Sequence, residues 1–596
     1  MARNDEHLPT WDLSALYTGP DDPRLEDDIR AVVPAARAVR EAWRGRLGDA
    51  GPRELLEAVE GYQEALSRPL RPYAYAHLLF ASDSTRPEHV ALLHRVKEEA
   101  TRARRETVFF ELQIDRIPDD AFERALNEPG LARYRHYLVH VRSLRPHRLT
   151  EPEESLLTLK DLAGRSAFVQ LYDQLTASFR YRFELEGRER EMTGPELLAL
   201  LKHPDRGVRR RAYETYVAAY EAHRVVFTAV WNALVLDHRQ NLELRRYADP
   251  MEPVHKSNEL TPRAVDTLMA VTREHYGLAR RYYRWKARVL GVDRLWSTDL
   301  VAPLPGPEPE PVPFGRARAW VLEAYASFDP GLAEVARSFF EDRRIDAPPR
   351  PGKAGGAFCM GVAPELPVYV LVNYTGKLRD VATLAHELGH GIHFTLARRQ
   401  PLLEYAPVLP MAETASVFGE LLLARRLEAE GLDPVVRRNL LAERVEDIIA
   451  TTFRQNLYTD FEYRAHREGA RGYLSEERLC ELWRSALDEA YGDAVEHVPA
   501  SRWAWTAIPH FVHTRFYCYA YVFGELLVLA LYRRYQEEGA AFVPRLRSLL
   551  EAGGSRSPAD LVAGLGYDLE DPGFWKGGYE VLEGMIQALE ESGPTG

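Results

Sequence analysis

The ten residues LAHELGHGIH, Leu384 to His393, carry three of the chain's 19 histidines and one glutamate. Within them His386, Glu387 and His390 have the spacing H-E-x-x-H. Residues four apart lie one above the other only on a helix. The two imidazoles can therefore meet only if this segment is helical, and that requirement constrains the fold more than any other feature. The stretch before it, LPVYVLVNYTG (Leu366 to Gly376), is rich in Val and Tyr and bounded by Pro367 and Gly376, so it reads as a strand. Asp380 stands where an N-cap is expected. The local order is strand, turn, helix.

Helical signals dominate the remainder. Thr150 with Pro152 and Glu153, Thr193 with Glu196, and Thr261 with Pro262 each have the composition of a helix start. Apolar residues recur at three and four positions in VEDIIATTFRQNL. A chain of 596 residues exceeds one ordinary core. The expected fold is mainly α, with two or more helical lobes and a small β-sheet next to the HExxH helix. A polar stretch near residue 190 suggests a division into an N-terminal helical region, 1–190, and a larger region, 191–596. Proline is too dense for a helix in VAPLPGPEPEPVPFG, Val301 to Gly315, which reads as an extended connector.

The totals exclude some function classes. The net charge of -12 argues against nucleic acid as the main partner. The basic run Arg209, Arg210, Arg211 reads as a solvated helix face. Cys359, Cys480 and Cys518 are three widely spaced cysteines, which points to no disulfide framework and a reducing compartment. The opening MARNDEHLPTWDL is charged and lacks an apolar run, so no secretory signal is expected. No window has the uninterrupted apolar length of a membrane span. The expected address is the cytoplasm, with no membrane partner.

Two imidazoles at i and i+4 can hold one zinc ion, with Glu387 beside the open position as a base for water. A catalytic zinc needs a third protein ligand. His393, at i+7 from His386, is one turn too far along a straight helix; a supporting or substrate-binding role suits it better. The pattern HExxHxxGxxH fails, because His393 stands at its glycine and Leu396 at its histidine. Glu413 is 23 residues after His390, enough for a turn and a returning helix, and is the favoured third ligand. Glu420, seven residues on, is either a partner of a ligand or a plain helix carboxylate.

Four separated stretches resemble one family. HELGHGIH followed by MAETASVFGE looks like the zinc peptidases of the thimet oligopeptidase and oligoendopeptidase F family. PTWDLSALY (Pro9 to Tyr17), GAFCMG (Gly356 to Gly361) and IPHFVHTRFYCYAYVFGELL (Ile508 to Leu527) match its opening, its approach to the active site and its tyrosine-rich C-terminal segment, in order. No glycine lies between Ile508 and Phe523, which places the resemblance in the oligoendopeptidase F branch. The resemblance implies His386, His390 and Glu413 as ligands of one Zn2+ and Glu387 as general base. It also implies helical lobes around a deep channel, oligopeptide substrates, and a histidine and tyrosines of the C-terminal segment facing the metal.

A developing oxyanion needs a hydrogen-bond donor besides the metal. The candidates are, in order, Tyr519 and His510, then Tyr517, Tyr521 and His513. On a helix Tyr517 and Tyr521 share a face and Tyr519 does not; on a strand all three alternate to one face. Substrate contacts are expected from Val370 and Val372, if their strand is an edge that pairs with an extended peptide, from the flexible backbone at Gly356, and from His393. The reading is a zinc endopeptidase for short unfolded peptides. A dipeptidyl carboxypeptidase with the same zinc helix and a non-catalytic helical peptide-binding scaffold are the alternatives.

Overall fold

The computed structural model describes residues 8–307 and 309–592. The chain is mainly helical, with three small sheets among the described residues. It forms two compact units, and each is discontinuous. The first comprises Met1–Glu151, Pro309–Leu432 and Arg534–Tyr567; the second comprises Pro152–Glu308, Asp433–Arg533 and Asp568–Gly596. The division expected at residue 190 falls inside the second unit. The polar stretch there is a hairpin, Tyr181–Leu185 against Arg188–Met192. Its alternation buries Tyr181 and Phe183 while the returning strand stays exposed. The proline-rich connector does carry a boundary, between 308 and 309, and its described coil has no helix before Phe314.

In the first unit the helix Pro23–Trp43 starts where Asp22 accepts the Arg24 N–H at 3.0 Å and Pro23 presets the first turn. Leu25, Ile29, Val32, Ala36 and Val39 then recur at helical spacing and are all buried. The opening segment is tied to a three-stranded sheet. Asp12 donates its N–H to the Arg343 carbonyl, Ala347 donates to the Pro9 carbonyl, and Tyr369 Oη donates to the Asp12 carbonyl.

That sheet has Tyr369–Leu371 in the middle, parallel to Ile345–Asp346 and antiparallel to Phe358–Met360. The edge role expected for Val370 and Val372 is therefore corrected. Val370 and Val372 donate their N–H groups to the carbonyls of Arg344 and Asp346, and both side chains are buried. The edge next to the HExxH helix belongs to Phe358–Met360. The strand is also shorter than the Val- and Tyr-rich run from Leu366 to Gly376, because a sheet of three short strands offers partners for only a few residues.

The second unit is built on Arg206–Ala222, Arg224–Arg245, Gln455–Gly469 and Glu476–Tyr491. The helix starts expected at Thr193 and Thr261 are present: Glu196 reaches back to the Thr193 N–H at 2.7 Å, and Thr261 accepts from Ala264 at 3.1 Å. Between Pro434–Ile449 and Gln455–Gly469 the helix widens into one π-turn, Ala450–Arg454. Among the described residues no helix is long and apolar enough to cross a membrane.

Glu462 is fully enclosed in this unit, and burial pushes its carboxyl up to about 8, against the Phe516 N–H and the charge of Arg515. An acid raised in the folded state holds a proton that the unfolded chain gives up above its ordinary value of 4.5. Stability therefore falls as pH rises through the window between 4.5 and about 8. Glu462→Gln removes this dependence. The melting temperature of the variant is expected to gain on the parent steadily from pH 5 to pH 8, with a slope of up to about 1.4 kcal/mol per pH unit. Parallel melting curves across that range would show that Glu462 is not buried in this way.

Candidate active site

The helix Leu378–Leu396 carries His386, Glu387 and His390. It starts at Leu378 after Lys377, so Asp380 is not its N-cap but sits one turn in. There its carboxylate accepts the N–H groups of Thr375 and Lys377 at 2.7 and 3.1 Å. This closes the turn between strand and helix and places a negative charge at the positive end of the helix. The helix Thr414–Glu428 lies against it in the same unit. Glycine sets their approach: a Cβ at Gly389 would stand 2.5 Å from the Ala415 carbonyl oxygen and from the Ser416 Cα. At Gly419 a Cβ would meet Tyr325 Oη at 2.1 Å and the Ala385 carbonyl oxygen at 3.2 Å. Tyr325 Oη itself donates to that Ala385 carbonyl at 2.7 Å, fixing the turn before His386.

The close approach brings Glu413 to both imidazoles. Its Oε2 is 3.4 Å from His386 Nε2 and 3.4 Å from His390 Nε2. One ligand atom from each of the three lies within 4.8 Å of the others. Ser416 Oγ donates to Glu413 Oε2 at 2.8 Å. His386 Nδ1 donates to Glu420 Oε1 at 2.6 Å, which orients the ring with Nε2 toward Glu413. The Ala412 carbonyl lies beside His390 and His393.

Two imidazole nitrogens and one carboxylate on a shared point fit the donor set of a catalytic zinc site with one position open. The electrostatics fit a cation there. Burial opposes a charge on His386, yet the hydrogen bond and charge of Glu420, with Glu413 and Glu387 behind them, hold its proton to about 9. His390 goes the other way, to about 4, because burial dominates and His386 repels a second charge. The site attracts one positive charge and refuses two separate protons. Burial lifts Glu387 to about 7; His386 lowers it, and Glu413 and Glu420 reinforce the rise.

The remaining expected residues are distributed as follows. His393 is 3% exposed and lies outside the three-ligand set; burial and His390 lower it to about 3, so it stays neutral. Gly356 is in the left-handed region at φ 74°, and its carbonyl accepts from Asn373 Nδ2 at 2.8 Å. Cys359 is on the edge strand Phe358–Met360. It lies beside Glu387, and burial and that carboxylate push its thiol well up.

His510, Tyr517, Tyr519, Tyr521 and His513 lie in the second unit. The helix Tyr519–Glu538 starts within this stretch, and the rings of Tyr517 and Tyr521 meet at 5.1 Å. Their half-exposed rings also meet His510, at 5.8 and 5.9 Å. Tyr519 is on another face: it is fully buried, and its Oη accepts from Asn258 Nδ2 at 2.8 Å beside His255. His513 is exposed and paired with Asp173 at 2.7 Å.

The Glu420 partnership carries a direct expectation. Glu420→Ala leaves all three ligands in place but frees the His386 ring, and zinc affinity should fall by about 10–100-fold. Competition with a calibrated chelator measures it; an unchanged affinity would reduce Glu420 to a plain helix carboxylate.

Known proteins of similar sequence and fold complete the picture. The family model described as Peptidase family M3 matches residues 322–580, and the model described as Oligopeptidase F matches residues 113–181. Oligopeptidase PepF of Bacillus subtilis (strain 168) is 25% identical over 587 residues, covering 98% of this chain and 87% of that protein. The plasmid oligoendopeptidase F of Lactococcus lactis subsp. cremoris is 25% identical over 601 residues, covering 99% of both. The crystal structure of oligoendopeptidase-F from Enterococcus faecium superposes with a TM-score of 0.73 at 24% identity, over 96% of this chain and 98% of that one, and shares its fold. The two models together span over half of the chain, and the cluster of His386, His390 and Glu413 falls inside the larger match: the chain belongs to peptidase family M3, in the oligoendopeptidase F branch.

Proposed function

We propose that this peptidase is a zinc-dependent endopeptidase that cuts internal bonds of short, unfolded oligopeptides. The observation that carries the reading is the convergence of His386, His390 and Glu413 within 4.8 Å, with Glu387 projecting from the same helix turn. Zinc held there supplies a Lewis acid that polarises the scissile carbonyl and acidifies water. Glu387 takes the proton of the attacking water and returns it to the departing amine. Glu420 holds the His386 ring in register. An extended peptide pairs with the edge strand Phe358–Met360, and the left-handed Gly356 leaves room for its approach. His510, Tyr517 and Tyr521 are the better oxyanion donors, since the Tyr519 hydroxyl is buried on Asn258. His393 supports the helix rather than meeting peptide. The three unpaired cysteines suit a reducing compartment, so we place the enzyme in the cytoplasm.

The test is cleavage of an N- and C-blocked, internally quenched decapeptide, with products read by mass. Internal cuts should vanish on chelation and return with zinc, and Glu413→Ala should lose both bound zinc and cutting. Full zinc occupancy without any cut would overturn the endopeptidase reading. Cuts confined to the second bond from a free C-terminus would replace it with a dipeptidyl carboxypeptidase.

A further inference from the structure

The stretch that presents His510, Tyr517 and Tyr521 contains a backbone conformation its sequence does not favour. Phe516 sits at φ 52°, in the left-handed region, although it has a bulky side chain and is fully buried. Such a conformation persists only where its surroundings over-determine it. The surroundings here are specific. Arg515 donates to the Leu234 carbonyl and to Asp237 Oδ2, at 3.1 and 2.9 Å. The Phe516 ring packs between His238 and His466, with centroids 5.9 and 4.9 Å away. Its N–H, turned inward by the left-handed turn, donates to Glu462 Oε1 at 2.9 Å. Glu462 is completely buried, and among the described residues its other oxygen has no partner. A buried carboxyl with one oxygen unpartnered is costly, and its one hydrogen bond among the described residues is to the strained turn.

We propose that Glu462 is the positioning residue of the imidazole–phenol cluster: by accepting the Phe516 N–H it locks the left-handed turn that directs Tyr517 outward, onto His510 and Tyr521. The inference rests on the proposed role of these three residues in catalysis. Glu462 itself reaches no substrate; it acts through the direction of Tyr517. Without it the buried N–H has no acceptor, the turn relaxes to an ordinary conformation, and the Tyr517 ring leaves its neighbours.

The zinc-loaded full chain is assayed with the quenched decapeptide in Glu462→Gln, Glu462→Met, Tyr517→Phe, Tyr521→Phe, His510→Ala and the Glu462→Met/Tyr517→Phe double variant. Gln still offers an oxygen to the N–H, so kcat should stay within about threefold of the parent; Met offers none, and kcat should fall by about tenfold or more with KM and bound zinc unchanged. On the Tyr517→Phe background Glu462→Met should cost little more, since both act on one group. A full additional loss on that background, or an unchanged kcat in Glu462→Met while Tyr517→Phe is impaired, overturns the positioning role. If none of the Tyr517, Tyr521 and His510 variants loses kcat, the catalytic reading of the segment fails and the inference falls with it. Should Glu462→Met not fold, Glu462→Asp, one methylene short, replaces it, with amide exchange measured across residues 513–518. Faster exchange with lower kcat supports the lock; unchanged exchange, or faster exchange with unchanged kcat, overturns it.

Discussion

Glu387→Gln is expected to bind zinc like the parent and to lose roughly 10²–10⁴-fold in kcat, the contribution of a well-placed general base. The carboxylate is 7% exposed, and among the described residues it has no hydrogen bond and no ion pair. Nothing in the packing spends it on structure. Gln has the same volume and leaves that packing intact, yet cannot take a proton from water. Burial holds the acid up at about 7, and a divalent cation at the adjacent imidazoles draws it down again, so the ionised base is available at neutral pH. The measurement is kcat and KM on the quenched peptide together with bound zinc per chain. A variant that cuts within a few-fold of the parent while zinc-loaded would move the base to another group. A variant without zinc would place Glu387 among the residues that hold the metal.

The cluster of His386, His390 and Glu413 could be read in the sequence because it rests on a local rule. The i, i+4 spacing of His386 and His390 fixes their geometry once the segment is helical. Only the partner helix had to be inferred, and Glu413 falls where a returning helix puts it. Glu420 stayed open between two roles because hydrogen bonding to His386 depends on the rotation between helices, which spacing does not specify. The strand Tyr369–Leu371 was legible as a strand but not as a central one. Its Val-rich run suits burial on both faces, but edge or centre is decided by Ile345–Asp346 and Phe358–Met360, too short to show periodicity. The order of the tyrosines was equally hidden. Tyr519 differs from Tyr517 and Tyr521 only by the helical face it takes, and its buried partner Asn258 is 261 residues away in the chain. The boundary near residue 190 failed for a related reason: polar hairpins and polar linkers have the same composition, and a unit assembled from three separated segments has no single boundary in sequence.

Gly389→Ala is expected to cost as much zinc affinity as the loss of a helper carboxylate, about 10–100-fold or more, and to lower stability by about 1–3 kcal/mol through overpacking. Helix propensity alone predicts the reverse, a gain of up to about 1 kcal/mol on replacing a mid-helix glycine. The contact decides between them. The added Cβ would stand 2.5 Å from the Ala415 oxygen and the Ser416 Cα, which are backbone atoms of the facing helix and cannot rotate away. The helix Thr414–Glu428 must move as a body, and Glu413 and Ser416 move with it, away from nitrogens that Glu413 now approaches to 3.4 Å. Gly419→Ala is the control. Its nearest obstacle is the Tyr325 hydroxyl, at 2.1 Å, rather than backbone of the facing helix, so its loss should be smaller, and Tyr325→Phe on that background removes the obstacle together with its bond to the Ala385 carbonyl. Thermal melts and chelator competition on the three variants separate the cases. A Gly389→Ala protein that is more stable and binds zinc as the parent does would show that the two helices can part without cost, and that the glycine is there for some reason other than holding Glu413 against the histidines.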